Sequence, residues 1–553
     1  MRAADAIVAA LERAGVEVVF GIPGVHNLSL FDALWASPLR VVVTRHEGAA
    51  AHAADGYARA TGRPGVVVTT TGPGAANALT GIGEAWAASS PVVHLTTQVR
   101  SEDLAAGVQR GILHQSPGQI EGYRPLTRSA ASLSGADQTA FEIASAIGQA
   151  TGRWAPQGPD RPGPTYLEIP FDLLDADVED RYETAFPMWA RPDPPVAEAA
   201  EVLARSNAPV VWAGGGVIAS GAFEELRRVA ERLAAPVVTT YMGRTAIPAD
   251  HPLAVPLPPH EPGLRRLLDG ADALLAVGTD FGATVTMGGT LRLPERMVRV
   301  DVDRDELQTT PAAVQLWGDG RTCLARLEEE LGRTGVDRSA RVPETATAVE
   351  RLGEQVRRSI AEDPHTTEAA AFLDALEAAL PREAVVACDM CIAGYWCGGY
   401  LRRYEPRTLL YPLGWGTLGF GLPAAVGAAA ARRAPVLAVV GDAGLGYYLG
   451  ELATAREHDL DLTVLCVNDR GYGMLRFDEE RRFGRTFAAD LFTPDLESLS
   501  AAFDVPYSEV RLTDASLASS VARAMEDGGV HVIELRAALY PPRTTSPRWN
   551  DPE

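Results

Sequence analysis

The sequence predicts an α/β protein built from three doubly wound, parallel-sheet domains. Three observations predict it. At 553 residues the chain is too long for one hydrophobic core, so about two to four domains are expected. Short apolar runs alternate with helix-period stretches, strand first, in three separate parts of the chain. The strand ends carry glycine-rich or acidic turns, as where Val436–Val440 runs into Gly441-Asp442-Ala443-Gly444. The domains read as 1–170, 196–330 and 365–540.

In the first domain a helix over Ala3–Ala14 leads to a strand, Val16–Phe20, and the turn Gly21-Ile22-Pro23-Gly24-Val25-His26-Asn27. A helix over Leu28–Trp35 and a strand over Arg40–Thr44 follow, then Arg45-His46-Glu47-Gly48 and a small-residue helix, Ala49–Thr61. A strand over Gly65–Thr70 ends at Thr71-Gly72-Pro73-Gly74, and Val92–Thr96 closes the set. Glu47 has two readings. In a first helical turn it is a solvated acid welcomed by the dipole. Enclosed by the two glycine-rich turns it sits in a tight apolar pocket, where its carboxyl is raised and can share a proton with a heterocyclic nitrogen.

A linker rich in Asp, Pro and Arg, 172–195, marks the first boundary. The middle domain has strands over Pro209–Ala213, Pro236–Thr240, Ala273–Val277 and Val298–Val302. Gly214-Gly215-Gly216 follows the first of these but lacks GxGxxG spacing, so a plain strand turn is expected. A charged helix near Ser339–Asp363 leads to the third domain, where a helix over Thr366–Ala379 precedes a strand over Glu383–Cys388.

The last third holds the densest chemistry. A strand over Val436–Val440, a helix near Gly450–Leu452 and a strand over Leu462–Val467 make one βαβ unit. Asp442 and Asp469 then stand at the carboxyl ends of neighbouring parallel strands, the edge where open α/β sheets bind ligands. With the Gly471 carbonyl they offer oxygens to a small hard cation such as Mg²⁺. The N–H groups of Ala443 and Gly444 face a phosphate that the cation bridges.

Composition excludes several classes. The net charge of −22, with no basic tract, argues against nucleic acid. Five cysteines argue against a disulfide framework, and Cys388, Cys391 and Cys397 read as apolar packing rather than a zinc site. The charge-free run from Thr408 to Ala431 is broken by Pro412, Pro423 and many glycines, so a buried loop and helix is expected instead of a membrane span. Residues Met1 to Arg13 read as a helix of the fold, not a signal peptide, and a cytoplasmic location is expected.

Several stretches together carry a family resemblance. Gly441-Asp442-Ala443, then Asn468-Asp469, is similar to the thiamine-diphosphate signature, with Ala for the last Gly and Asp for the second Asn. Phe20-Gly-Ile-Pro-Gly-Val-His-Asn, Arg45-His-Glu-Gly-Ala-Ala and Thr71-Gly-Pro-Gly-Ala-Ala-Asn resemble the pyrimidine-binding domain of the same enzymes. The branch is that of acetolactate synthase, pyruvate decarboxylase and related 2-oxo acid enzymes.

The resemblance implies roles residue by residue. Glu47 sets the protonation of the cofactor's aminopyrimidine ring. Pro23 lines the ring's side, and His26, His114 and Gln115 lie on the substrate side, where decarboxylases carry two histidines and acetolactate synthases an aromatic residue and Gln. Cys391 and Ile392 contact the diphosphate with Asp442, Ala443, Gly444 and Asp469. The Gly416 carbonyl accepts from the cofactor's amino group, Leu418 props it into a bent shape, and Met474 lies nearby. Leu475 stands where pyruvate decarboxylases place a proton-donating glutamate. The middle domain would hold FAD in an acetolactate synthase, but Leu253–His260 lacks the usual glycines and no FAD is expected. The tail from Pro542 to Trp549 is similar to those of guanidino-oxo-acid decarboxylases and is expected over the site's mouth.

The reading is an acetolactate synthase-type carboligase, using thiamine diphosphate and Mg²⁺, that decarboxylates a 2-oxo acid and transfers the acyl unit to a carbonyl acceptor. The alternatives are a decarboxylase releasing an aldehyde from a guanidino or aromatic acid, a 2-hydroxyacyl lyase, and a silent cofactor-binding subunit. The resemblance also implies a homodimer or homotetramer, with Glu47 of one chain meeting the diphosphate site of another.

Overall fold

A computed structural model describes residues 1–116, 118–154, 160–179, 193–513 and 515–545. The expected linker and tail therefore lie partly outside the described residues. Among the described residues no helix is long and apolar enough to cross a membrane. The Thr408–Ala431 run is a short strand, a loop and the buried helix Gly421–Ala430.

Each domain is a six-stranded, all-parallel sheet. The first contains β1 (Val18–Gly21), β2 (Arg40–Val43), β3 (Gly65–Thr69), β4 (Val92–Gln98), β5 (Ser129–Ser132) and β6 (Thr165–Pro170). The second contains β7 (Pro209–Ala213), β8 (Val237–Thr239), β9 (Ala254–Val255), β10 (Ala273–Val277), β11 (Met297–Asp301) and β12 (Val314–Trp317). The third contains β13 (Val385–Cys388), β14 (Leu409–Leu410), β15 (Val436–Gly441), β16 (Leu462–Asn468), β17 (Tyr507–Val510) and β18 (Val530–Arg536). Val92–Thr96 does not close the first set, contrary to the expectation from sequence. Two further strands follow, because Ser129-Ala-Ala-Ser132 carries no apolar alternation to announce an edge strand.

The first and third sheets share one strand order, β2-β1-β3-β4-β6-β5 and β14-β13-β15-β16-β18-β17. In each, the order reverses between the first and third strands in sequence. The crevice outside that point is where doubly wound sheets hold ligands. It brings Ile22-Pro23 to Thr70–Gly74 in the first domain, and Asp389–Cys391 to Gly441–Gly444 in the third. The central order, β12-β11-β10-β7-β8-β9, switches between β7 and β10 instead.

The first and third domains meet through two helices, Glu47–Thr61 and Gly421–Ala430. Both are rich in Ala and Gly and have little amphipathic character, because both are buried almost all round. Small residues let the backbones touch. A Cβ on Gly427 would lie 1.8 Å from the Ala53 carbonyl oxygen, and one on Gly56 would lie 2.1 Å from that of Ala424. One apolar cluster therefore runs from Phe20, Tyr57 and Ile82 through Phe420 to Val440 and Val464. A second joins Trp212 and Tyr241 of the central domain to Trp396 and Phe372 of the third.

His52 sits inside the first contact, edge-on to Phe420 and Tyr448, with neither ring nitrogen hydrogen-bonded among the described residues. Burial, with Arg59 and His46 adding, pushes its imidazole down to about 3. The folded state then binds fewer protons than the unfolded chain below pH ~6.5, so stability is full above that pH and is lost as the pH falls. The loss per imidazole approaches about 1.4 kcal/mol per pH unit. Urea denaturation at pH 7 and pH 5 is expected to show it, and His52→Leu to reduce the slope by one imidazole's share, leaving that of the equally buried His94. An equal slope in that variant would remove His52 as its source.

Candidate active site

The third domain places Asp442 as the first residue of a short helix, Asp442–Tyr447, beyond β15, and Asp469 just beyond neighbouring β16. Asp442 Oδ2 accepts from Thr493 Oγ1 at 2.6 Å. Its Oδ1 is buried and has no partner among the described residues. Burial first, then the Asp442 charge, raises the Asp469 carboxyl to about 6 against the pull of Arg476. Two crowded carboxylates, one with an orphaned oxygen, fit a small divalent cation better than they fit each other. Gly473 is required here, since a Cβ would lie 2.0 Å from Asp469 Oδ2. Ala443 replaces glycine at no backbone cost, because the position is helical rather than left-handed.

Asp389, at the end of β13, organises the rest of this half. Its buried carboxylate accepts from Met390 N at 2.7 Å, Gly419 N at 3.0 Å and Gly421 N at 3.2 Å. Burial raises it to about 6, with those three N–H groups opposing. The bonds fix the loop that carries Gly416 and Leu418. Cys391 Sγ accepts from Gly394 N at 3.4 Å and caps the helix Ile392–Tyr400. Ile392 reaches the start of the helix Gly473–Phe483, whose first turn carries Met474. Gly471 is joined by an antiparallel bridge to Asp490, which fixes the turn after Asp469.

The first domain builds a second cluster. Glu47 is the first residue of its helix, and the His46 side chain caps that helix by accepting from Gly48 N at 3.0 Å. Asn77 Nδ2 donates to Glu47 Oε2 at 3.0 Å, and Gly74 leaves room for Oε1. The carboxylate is half-buried, so this chain builds part of the enclosure expected around it. Pro23 is exposed at the same edge.

His26 and His114 come together. Their rings meet edge-on at 5.4 Å, and His26 stacks on Phe171 at 4.9 Å. Each Nδ1 is buried without a partner among the described residues. Burial, then the neighbouring His114, lowers the His26 imidazole from its ordinary value. Gly72, at φ 66°, lets the His114 backbone approach, since a Cβ there would strike its carbonyl oxygen.

The Gln115 amide donates to Val108 O at 3.0 Å and accepts from Arg110 N at 2.9 Å, and so braces its own loop. The glutamine that does reach the Gly72 turn is Gln119, which no local motif singles out. It is buried, accepts from Gly72 N at 2.7 Å and donates to Tyr166 Oη at 2.9 Å.

A third concavity, about 1370 Å³, lies among the three domains at the carboxyl edge of the central sheet. Gly216 and Asp301 line it, with Arg161 from the first domain and Arg407 from the third. The glycines at its floor are needed by packing, since Gly214 and Gly216 abut Gly278 too closely for a side chain.

One glycine-walled cleft carries an acid at a helix start and the other a pair of crowded carboxylates, and the chain that holds them is a thiamine-diphosphate-dependent enzyme of the decarboxylase and carboligase group. The chain belongs to the thiamine pyrophosphate enzyme family, whose N-terminal TPP-binding, central and C-terminal TPP-binding domain models match residues 1–120, 196–327 and 389–535. It is 36% identical to the "Probable 2-ketoarginine decarboxylase" of Pseudomonas aeruginosa, over 97% of this chain and 94% of that protein. It is 34% identical to the "Probable acetolactate synthase large subunit" of Methanocaldococcus jannaschii, over 86% of this chain and 81% of that one. A sulfoacetaldehyde acetyltransferase of Alcaligenes xylosoxydans xylosoxydans matches at 29% over 97% of this chain and 93% of its own length.

Proposed function

We propose that the chain decarboxylates a long 2-oxo acid with a cationic tail and releases the aldehyde. The single observation that carries this reading is the His26–His114 pair. When bound, thiamine diphosphate supplies a nucleophilic carbon and an electron sink for loss of CO₂. Release of an aldehyde then needs one proton delivered to carbon in place of the departed carboxylate. Two imidazoles in edge-on contact, one of them lowered by burial, are suited to relay it. Asp442 and Asp469, with the Gly471 carbonyl, hold Mg²⁺ for the diphosphate, beside Ala443, Gly444, Cys391 and Ile392. Glu47 holds the proton at the aminopyrimidine nitrogen, while Gly416, Leu418 and Met474 set the ring's position.

The cationic tail rests on Asp478 and on the first relative above. Asp478 lies one helical turn beyond Met474, on the same face and half-buried. Burial first, then Cys391, Asp389 and Asp478, raises the nearby Tyr395 phenol. A carboxylate there pairs with a guanidinium bidentately.

The site is completed by a second copy. Val25, Leu28 and Leu113 are exposed around the Glu47 half, and Leu475, Phe487 and Phe492 around the Asp469 half. Apolar rims on two half-sites favour a homo-oligomer in which each half faces its complement.

Product identification by mass spectrometry tests the reading, with pyruvate, an aromatic 2-oxo acid and 5-guanidino-2-oxopentanoate as substrates. The expected result is 4-guanidinobutanal from the last, with Asp478→Asn raising KM for that acid alone by about tenfold or more. Acetolactate-type carboligation is the second reading, favoured by Leu475, which leaves no acid at the decarboxylase position. A 2-hydroxy-2-methyl-3-oxo acid from pyruvate would establish it and overturn the first.

A further inference from the structure

We infer that Glu84, with Arg59, is a positioning residue for cofactor binding: it holds the Gly416 loop of the third domain in place from inside the first. Glu84 is fully buried near the end of the helix Pro73–Ala87. Its Oε2 accepts from both Thr417 N at 3.2 Å and Thr417 Oγ1 at 3.0 Å. Thr417 lies between Gly416 and Leu418. The other oxygen, Oε1, faces Arg59 at 3.4 Å.

Arg59 is also enclosed. It grips Asp55 on its own helix through Nε at 2.8 Å and Nη2 at 2.5 Å, and donates from Nη1 to the Tyr411 carbonyl at 2.9 Å. The loop from Tyr411 to Thr417 is thus tied at both ends to a buried charged cluster. The same helix supplies a socket between those ties. Trp86 meets Trp415 edge-on at 6.5 Å, and a Cβ on Gly83 would lie 2.7 Å from the Trp415 ring. A Cβ on Gly414 would rest 3.2 Å from that of Ala87.

A surface ion pair would explain none of this. Asp55 and Glu84 are both fully buried, and burying two acids around one arginine is costly unless each lone pair is used. Here Glu84 Oε2 takes the Thr417 N–H and hydroxyl, and the remaining Arg59 nitrogen donates to the Tyr411 carbonyl. The other ends of both helices meet at Glu47, which is the first residue of one and the hydrogen-bond acceptor of Asn77 on the other. Within one chain, the acid of one half-site and the loop of the other are therefore referenced to the same two helices.

The inference rests on assigning 413–418 to the cofactor, so the test separates the two claims. Amide hydrogen exchange is followed in the full-length protein, without and with thiamine diphosphate and Mg²⁺. In the wild type, cofactor is expected to slow exchange across 413–419; no protection there would overturn the loop assignment and the inference with it. In the cofactor-free protein, Glu84→Ala is expected to speed exchange across 413–419 by about tenfold or more, and to weaken cofactor binding by calorimetry about as much. Glu84→Gln keeps an oxygen for Thr417 but loses the charge for Arg59, so a smaller change of about threefold is expected. Saturating cofactor should restore most of kcat in both variants. If Glu84→Ala does not fold, the Gln variant decides. Wild-type exchange and cofactor affinity in a folded variant, with cofactor protection intact, would show that Glu84 does not position the loop.

Discussion

Glu47→Gln is expected to bind thiamine diphosphate with nearly unchanged affinity and to lose about a hundredfold or more of its turnover. The amide is isosteric, and its oxygen still accepts from Asn77 as Glu47 Oε2 does. Helix entry does not depend on the carboxylate either, because the cap is made by His46. What disappears is a removable proton beside the aminopyrimidine ring, so the loss falls on kcat and not on folding or binding. A cofactor titration paired with steady-state rates separates these quantities. Wild-type turnover in the variant would remove Glu47 from the chemistry.

Asp442→Asn should show opposite signs in two measurements. The orphaned Oδ1 beside Asp469 is the strongest single indication of a cation site. A neutral amide there removes one of two anionic ligands, so Mg²⁺ affinity should fall by about a hundredfold or more, and diphosphate binding with it. In the absence of metal, however, the substitution relieves the repulsion that, after burial, raises Asp469. The metal-free variant should therefore melt above the metal-free wild type. Calorimetric titration and thermal melts read both effects. Undiminished metal and cofactor affinity would sink the assignment of Asp442 as a ligand.

Much of this is legible in the amino-acid sequence alone. The alternation of apolar strand and helical stretch reveals parallel α/β layers, because fully buried strands such as Val436–Val440 read as continuous apolar runs. The spacing of Asp442 and Asp469 works for the same reason. One βαβ unit forces its two strand ends to be neighbours. Contacts between distant segments are what local sequence hides. His26 follows β1 and His114 follows β4; they meet because the loop after β4 returns over the Gly72 turn at the end of β3, the strand between them, which no local pattern states. Gln119 follows a glycine-rich loop and looks like surface; only the packing of β4 and β6 beneath it shows that it is buried. Asp389 stands at a strand end beside Cys391, but its grip on Gly419 and Gly421 depends on a loop about thirty residues away. Gln115 is a further case: a glutamine in a loop satisfies its own backbone as readily as it serves a ligand, and local sequence does not show that this one bonds Val108.

The contact between Ala53-Gly56 and Ala424-Gly427 bears on where the chain can be cut. One apolar cluster crosses that contact, so the sheets are separate in sequence while their interior is shared. A fragment ending after β6 would expose a wide stripe of Ala and Gly, with too little apolar bulk to recover its stability alone. Two fragments separated between residues 170 and 196, and made together, should instead find each other, because their interface is packed like an interior rather than like a surface. The same shared interior would let such a protein be encoded as two chains, or with its domains in another order, provided those two helices still meet.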